Sequence, residues 1–189
     1  MDIKGTGKKI IFEKKEIEDS IKRIAAEIID NNKNNIKNVV LVGIRTGGAY
    51  LAKRLQAVLE DMTGKNFPTG ILDISLYRDD WTRIGPSPKI GKTEISFSID
   101  DKILILIDDV LFTGRTIRAA MDALIDLGRP RKIELVALVD RGNIYRELPI
   151  QANYLGGIWN ISTDETINVY LEEGGFEDHV AIEVKGGAQ

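Results

Sequence analysis

The sequence predicts an α/β domain with a central parallel sheet flanked by helices. Two observations carry this prediction: short apolar runs rich in β-branched residues, and amphipathic helical stripes between those runs. Runs that are apolar throughout are typical of strands covered on both faces, as in parallel sheets. They are VVLVGI at Val39–Ile44, KILILI at residues 102–107 and IELVALVD at residues 133–140. GILDISLY, at residues 70–77, alternates instead as a half-buried strand does.

Three helices are predicted by apolar side chains that recur at helical spacing. The first spans residues 14–31, with a stripe of Ile17, Ile21, Ile24 and Ile28. The second follows the RTGG turn and carries Leu51, Leu55, Val58 and Met62. The third spans residues 116–127, and Gly128 is expected to end it. The repeated order of strand, turn and helix indicates one domain over residues 1–189.

Composition and charge exclude several classes of protein. The 189 residues include no cysteine, which excludes disulfides and thiolate chemistry. The longest apolar runs have about five residues, far below the roughly twenty that a membrane helix needs. The first residues lack the apolar core of a signal peptide, so a cytoplasmic location is expected. The net charge of −3 and the pI of about 5.4 argue against a protein that mainly binds nucleic acid.

A polar segment follows each of four predicted strands. Because ligands of parallel sheets bind beyond the carboxyl ends of the strands, these segments are expected to meet at one site. They are RTGG at residues 45–48, YRDD at 77–80, DDVLFTGRT at 108–116 and DRGN at 140–143.

The FTGRT turn has the chemistry of a phosphate site. It lies before a predicted helix, whose first amides lack intrahelical partners and whose dipole favours an anion. Thr113 and Thr116 add hydroxyl donors, and Gly114 permits close approach to the backbone. Asp108 and Asp109 suit sugar hydroxyls, or magnesium held through water. Together these residues predict a site for a ribose 5-phosphate.

Other interpretations of the aspartate pair explain less. A Walker B strand would need a G-x-x-x-x-G-K-[ST] loop, and GPSPKIGKT at residues 85–93 has its glycines one residue too far apart. A receiver-type acidic pocket would place its pair after the first strand. A capped helix start with two surface aspartates leaves the order of residue types unexplained.

The stretch ILIDDVLFTGRT resembles the phosphoribosyl-diphosphate (PRPP) signature of the type I phosphoribosyltransferases. Over nearly the whole chain the sequence is similar to one branch, the PyrR family of pyrimidine-operon attenuation regulators and uracil phosphoribosyltransferases. The similar segments are LDISLYRDD (72–80), DDVLFTGRTIRAAMDAL (108–124), DLGRP (126–130), LVDRG (138–142) and RELPI (146–150). The resemblance implies the type I phosphoribosyltransferase fold, with a flexible lid loop at about 81–98 and a small hood at about 143–185.

The resemblance also implies a reaction and a set of site residues. A uracil nitrogen would displace pyrophosphate from C1 of PRPP and give UMP, with Mg²⁺ on the pyrophosphate. The PRPP site would comprise Asp108, Asp109, Val110, Leu111, Phe112, Thr113, Gly114, Arg115 and Thr116. Pyrophosphate would bind Arg45, Thr46, Gly47 and Arg78, and the base would bind Arg141, Ile158 and Trp159. Asp109 and Arg78 would be catalytic, and Asp108 and Asp109 would hold the metal through water.

The chain departs from the family pattern at four places. Thr46-Gly47-Gly48 replaces the usual Thr-Arg-Gly, and extra residues at Asn143–Tyr145 stand where a histidine is usual. GGIWNIS at residues 156–162 differs in the base-contacting region, where Trp159 would alter base choice or pack in the core. Cations usual for RNA binding are replaced by neutral residues, namely Ala26 (for a histidine), Gln151 and Gly157.

Three functions therefore stay open. The first is a magnesium-dependent uracil phosphoribosyltransferase, and the second is a regulator that senses PRPP or UMP and binds RNA. The third is a phosphoribosyltransferase for another nucleobase. The neutral replacements disfavour RNA binding, and Trp159 keeps a different base in consideration. The family pairs its subunits, so a homodimer or a higher homo-oligomer is expected, with no membrane partner.

Overall fold

The computed structural model describes residues 8–79 and 91–184 of the chain. Its elements alternate in the order that the sequence predicts for an α/β fold. The strands are β1 (Lys8–Glu13), β2 (Val39–Ile44), β3 (Thr69–Leu72), β4 (Ile103–Leu111), β5 (Lys132–Asp140), β6 (Tyr154–Ile158), β7 (Glu165–Tyr170) and β8 (His179–Val184). The helices are α1 (Lys14–Asn32), α2 (Gly47–Thr63) and α3 (Arg115–Leu127). All three helices are therefore confirmed, and β2 has the predicted bounds.

Five strands form the predicted parallel sheet, in the order β3-β2-β4-β5-β6. Along β4, Ile103, Ile105 and Ile107 face the side that α1 and α2 cover. Leu104 and Leu106 face the opposite side, where α3 packs. Both faces of β4 are therefore buried, which explains why its sequence shows no polar alternation.

The start of α2 packs unusually close to the sheet. A Cβ atom on Gly48 would lie 2.3 Å from the carbonyl oxygen of Ile107, and a Cβ on Gly43 would lie 2.4 Å from the Gly48 carbonyl. Only glycine fits at either position, so this pair fixes the height of α2 above β2 and β4. As a result α2 begins at the carboxyl edge of the sheet.

A small antiparallel sheet, in the order β1-β8-β7, packs beside α1 and α2. Arg54 of α2 connects the helix to the segment before β8 by donating to both carboxylate oxygens of Asp178, at 2.5 and 2.9 Å, and to Glu173. The predicted hood at residues 143–185 includes β7 and β8 of this sheet, but it also includes β6 and omits β1. β6 pairs with β5 in the main sheet, and β1 joins the small sheet from the other end of the chain.

Two strand predictions need correction. The strand predicted at residues 70–77 ends at Leu72, because the Asp73 carboxylate accepts the amides of Ser75 and Gly91 and turns the chain. The strand predicted at residues 102–107 continues to Leu111, because Asp108 pairs with Ala137 across the β4–β5 ladder. The two aspartates therefore lie inside the strand, and the turn begins after them.

The predicted lid at 81–98 falls partly outside the described residues, which resume at Gly91. Glu94 exchanges two backbone hydrogen bonds with Ile71 of β3, at 2.7 and 3.0 Å. Ile95 and Phe97 pack against the apolar core on the α3 side. Within the described residues, no helix is long and apolar enough to cross a membrane.

Candidate active site

Residues from two of the four predicted segments, YRDD and DDVLFTGRT, meet in a cavity at the carboxyl edge of the parallel sheet. The cavity has a volume of about 310 Å³, and Arg78 and Asp79 line it opposite the turn after β4. The end of β4, the turn after it and the start of α3 contribute Asp108, Val110, Leu111, Phe112, Thr113, Gly114, Arg115, Thr116 and Ile117. The structure thus brings together nearly the whole set predicted for PRPP, together with Arg78.

The turn after β4 presents the start of α3 to this cavity. Gly114 has a φ of 91°, a left-handed conformation that favours glycine, and directly precedes the first residue of α3. The first hydrogen bond of the helix joins the Arg118 amide to the Gly114 carbonyl at 2.9 Å. The amides at the start of α3 precede that bond and have no intrahelical acceptor. With the hydroxyls of Thr113 and Thr116, this end of the helix suits a phosphate.

Asp108 and Asp109 form a close pair of buried or half-buried carboxylates. Asp108 is 6% exposed, and its Oδ1 accepts the Asp109 amide at 3.0 Å. Asp109 Oδ1 accepts the Val110 amide at 2.8 Å. Burial raises the pKa of both carboxyls, and the neighbouring Asp109 charge raises the pKa of Asp108 further. The pair is therefore costly in the folded chain unless a cation or hydroxyl donors bind to it.

Gly47 provides the wall that faces Asp109. A Cβ atom on Gly47 would lie 2.2 Å from Asp109 Oδ2, so a larger residue would displace that carboxylate. Thr46 precedes α2, and the peptide bond between Arg45 and Thr46 is cis. The predicted pyrophosphate segment thus lies directly beside the aspartate pair.

The two predicted pyrophosphate arginines occupy different positions. Arg78 lines the cavity, and its positive charge lowers the pKa of Asp108, opposing the effect of burial. Arg45 Nη2 instead donates to the Lys92 carbonyl at 2.8 Å and to Glu94 Oε1 at 3.3 Å. The Arg45 side chain is thus held by the segment that follows the undescribed residues.

Arg115 contributes its backbone to the turn, while its side chain joins neighbouring segments. Its guanidinium bonds to Glu147 and to Asp79, each at 2.5 Å, and half of the side chain is exposed. These ion pairs connect the phosphate turn with the loop after β5 and with the loop after β3. The Thr113 carbonyl adds to this connection by accepting the Glu147 amide at 3.0 Å.

The predicted base-binding residues divide into two groups. Arg141 is 4% exposed, and its guanidinium lies 3.7 Å from the centre of the Phe112 ring, so it adjoins the cavity through Phe112. The Trp159 amide donates to the Asp140 carbonyl at 2.9 Å, but its ring turns to Phe12 and packs edge-to-face against it at 4.6 Å. This contact favours the core interpretation of Trp159, and Ile158 is 58% exposed. A contact of either residue with a base stays a prediction.

Several residues near the site were not predicted from the sequence. Glu94 holds Arg45, Tyr145 contacts Phe112, and Arg146 forms a buried ion pair with Asp140. The only sequence signal for Tyr145 is that it belongs to the extra residues after DRG. Glu94 carried no signal, because nothing near it in sequence indicates that it meets Arg45.

The carboxylates at this site suit a Mg²⁺ ion that the substrate also binds. Among the described residues there is no cluster of three or more His, Cys or acidic side chains that could hold a metal alone. Magnesium in phosphate-transferring sites is commonly held by one or two carboxylates, water and substrate oxygens. The aspartate pair supplies those two carboxylates, so the residues fit the ion.

The fold is that of the type I phosphoribosyltransferases. A family profile described as the phosphoribosyl transferase domain matches residues 8–168. Hypoxanthine phosphoribosyltransferase from Trypanosoma cruzi aligns with a TM-score of 0.69 at 19% identity, over 93% of this chain and 96% of that one. A second such enzyme, from Staphylococcus aureus, aligns with a TM-score of 0.68 at 23% identity over 93% of this chain and 91% of that one. At these identities the likeness establishes the fold alone.

Closer sequence relatives define the branch. Bifunctional protein PyrR of Desulfosudis oleivorans is 52% identical over 160 residues, which are 85% of this chain and 87% of that protein. Bifunctional protein PyrR of Thermus aquaticus is 49% identical over 173 residues, or 92% and 94% of the two chains. The chain therefore belongs to the PyrR family of phosphoribosyltransferases.

Proposed function

We propose that the protein transfers the phosphoribosyl group of PRPP to uracil and releases UMP and pyrophosphate, with Mg²⁺ as the required ion. The observation that carries this proposal is that Asp108, one of the adjacent aspartate pair, lines the same cavity at the sheet edge as the start of α3, which suits a phosphate. A sugar phosphate satisfies both parts, since its phosphate meets the helix start and its hydroxyls donate to the carboxylates. The resemblance and the PyrR relatives select the class of reaction.

The reaction breaks the bond between C1 and the pyrophosphate oxygen and forms a bond from C1 to N1 of uracil, which loses its proton. The developing charge on the sugar is positive, so Asp108 and Asp109 are placed to stabilise it. The departing pyrophosphate needs cations, and Arg78 lies beside Asp108. When bound through water to the two aspartates, magnesium would neutralise part of the pyrophosphate charge.

The base is proposed to lie on the Arg141 side of Phe112. In the parallel sheet, β2 and β5 lie on either side of β4, so the segment at residues 45–47 and Arg141 follow the two strands that flank the aspartate pair. With the pyrophosphate assigned to the β2 side, the base is assigned to the β5 side, where Arg141 follows Asp140. A guanidinium provides donors for the carbonyl oxygens of a pyrimidine.

The test is UMP formation from uracil, PRPP and Mg²⁺, run beside hypoxanthine, xanthine and orotate. We expect turnover with uracil, and loss of turnover when Mg²⁺ is chelated. Turnover with another base alone would keep the phosphoribosyltransferase and exclude uracil as the acceptor. No turnover with any base would contradict the enzymatic proposal.

The PyrR relatives are named bifunctional, which supports a second candidate: a PRPP- or UMP-responsive regulator that binds RNA. The exposed positions Ala26 and Gln151 carry no charge, so few counterions would be released on binding. Filter binding to a pyrimidine-operon leader RNA at 50 and 200 mM salt tests this candidate. Tight, steeply salt-dependent binding would support the regulator, and weak binding would leave the enzymatic proposal as the single candidate.

A further inference from the structure

The turn Asn143–Tyr145, directly after β5, brings a third aromatic or cationic group to the base side of the site. The ring of Tyr145 lies 5.9 Å from the ring of Phe112, centre to centre, at an interplanar angle of 63°. This edge-to-face arrangement is a favourable geometry for an aromatic pair. Phe112 in turn belongs to the phosphate turn and lines the cavity.

Hydrogen bonds and a buried ion pair fix the segment that carries Tyr145. The amides of Glu147 and Leu148 both donate to the Thr113 carbonyl, at 3.0 and 3.3 Å. Arg146 donates to Asp140 Oδ1 at 2.6 Å, and both side chains are only 8% exposed. Tyr145 is therefore held on the same frame as the phosphate turn.

Phe112 lies between Tyr145 and Arg141. The Arg141 guanidinium lies 3.7 Å from the centre of the Phe112 ring, and the Arg141 amide donates to the Leu111 carbonyl at 3.0 Å. Arg141 Nη2 donates to the Glu165 carbonyl at 3.1 Å. If the Tyr145 ring is removed, Phe112 can rotate towards the vacated space, and the surface on which the Arg141 guanidinium rests moves with it.

We propose that Tyr145 is a positioning residue for the nucleobase. It holds Phe112 in the orientation that places the Arg141 guanidinium beside the base, and this inference rests on the proposed function. The contact with Phe112 is made by the Tyr145 ring, which Tyr145→Phe keeps, while the Tyr145 phenol also acts electrostatically on the Arg141 guanidinium. Tyr145 therefore acts on affinity for the base and for UMP, while the 5-phosphate contacts of PRPP are unaffected.

The experiment compares Tyr145→Ala and Tyr145→Phe with Ile144→Ala, a matched control in the same turn whose side chain is 76% exposed. Initial rates give kcat and KM separately for uracil and for PRPP, and titration calorimetry gives the Kd of UMP. We expect Tyr145→Ala to raise the KM for uracil and the Kd of UMP about three- to tenfold, with the KM for PRPP unchanged. Tyr145→Phe and Ile144→Ala should both stay within about twofold of the wild type.

Several outcomes would overturn the proposal. They are an unchanged KM for uracil in Tyr145→Ala, an equal rise in the KM for PRPP, or failure of Tyr145→Phe to restore the wild-type values. Circular dichroism shows whether each variant is folded. If Tyr145→Ala is misfolded, Tyr145→Leu decides instead, because leucine fills the space but lacks the aromatic edge. If the wild type uses no base, the proposed function fails, and the Kd of UMP alone then decides the role of Tyr145. A wild type that also fails to bind UMP would refute both proposals.

Discussion

Asp109→Asn is expected to abolish turnover and, at the same time, to stabilise the fold. The asparagine keeps the shape of the side chain and the oxygen that accepts the Val110 amide. It removes one of the two carboxylate charges, Asp108 and Asp109, that the folded chain holds close together and away from water. The substitution thus separates the contribution of the Asp109 carboxylate to ligand binding and turnover from its effect on the stability of the free protein.

The magnitude follows from the surroundings of the pair. Two unit charges about 4 Å apart repel by about 4 kcal/mol at the effective dielectric near a protein surface. Proton uptake by the pair and the nearby charge of Arg78 offset much of this repulsion. We expect a net gain of about 1–2 kcal/mol in the free energy of unfolding, or about 2–8 °C in Tm for a chain of this size. Activity should fall by about a hundredfold or more, because the charge that faces the ribose is lost.

The gain should depend on pH in a defined direction. Because the pKa of both carboxyls is raised in the folded chain, the folded state keeps these protons to higher pH than the unfolded state does. Wild-type stability therefore falls as pH rises above about 4, the ordinary aspartate pKa, until the raised pKa is passed. The advantage of Asp109→Asn should be small near pH 4 and largest at neutral pH and above.

Thermal unfolding at pH 4 and pH 8, with initial rates at pH 8, checks this reasoning. Asp30→Asn serves as the control, since Asp30 is a solvent-exposed aspartate on α1 whose side chain is 79% accessible. The control should shift Tm little at either pH. A Tm gain equal at both pH values, a Tm loss at pH 8, or retained turnover would refute the reasoning.

Two further predictions concern the close packing at the start of α2 and the Arg54–Asp178 ion pair. Gly47→Ala places a Cβ 2.2 Å from Asp109 Oδ2 and should weaken PRPP binding in calorimetry with little loss of stability. Gly48→Ala instead places its Cβ against the backbone carbonyl of Ile107, which cannot move aside, and should lower the free energy of unfolding in urea by about 1–3 kcal/mol. Equal stability losses in the two variants would contradict this distinction. Arg54→Met leaves the buried Asp178 carboxylate unpaired and should cost about 3 kcal/mol at pH 7. Because Arg54 lowers the pKa of Asp178, the difference from wild type should shrink as pH falls below about 4, and an undiminished difference at pH 3 would argue against the ion pair.

The parts of the fold that depend on local sequence were predictable, and those that depend on distant partners were not. The bounds of β2 were predicted because an apolar run is flanked by polar residues on both sides. The extension of β4 through Asp108 was missed because it depends on pairing with Ala137 of another strand. The early end of β3 was missed because Asp73 bonds to Gly91, a residue far along the chain.

The same division holds at the site. The turn at residues 112–116 and the helix start after it were predictable, since the glycine, the hydroxyls and the helix are contiguous in sequence, while phosphate binding there stays a prediction. The partners of Arg45 were not, because Lys92 and Glu94 reach it only through the pairing of their segment with β3. Trp159 could not be assigned from sequence, because its contact with Phe12 joins opposite ends of the chain.

The small sheet has a consequence for how the chain is made. Residue 8 of β1 pairs with residue 183 of β8, so β1 has no partner strand until β8 has been synthesised, about 170 residues later. The parallel sheet needs only residues up to the end of β6, which the ribosome reaches about one to five seconds earlier at about 5–20 residues per second. During that interval β1 is an unpaired edge strand beside an uncovered apolar surface, the condition in which neighbouring nascent chains can pair with each other. Pairing of β8 with β1 removes this exposed edge, a role in folding that is separate from the chemistry of the site.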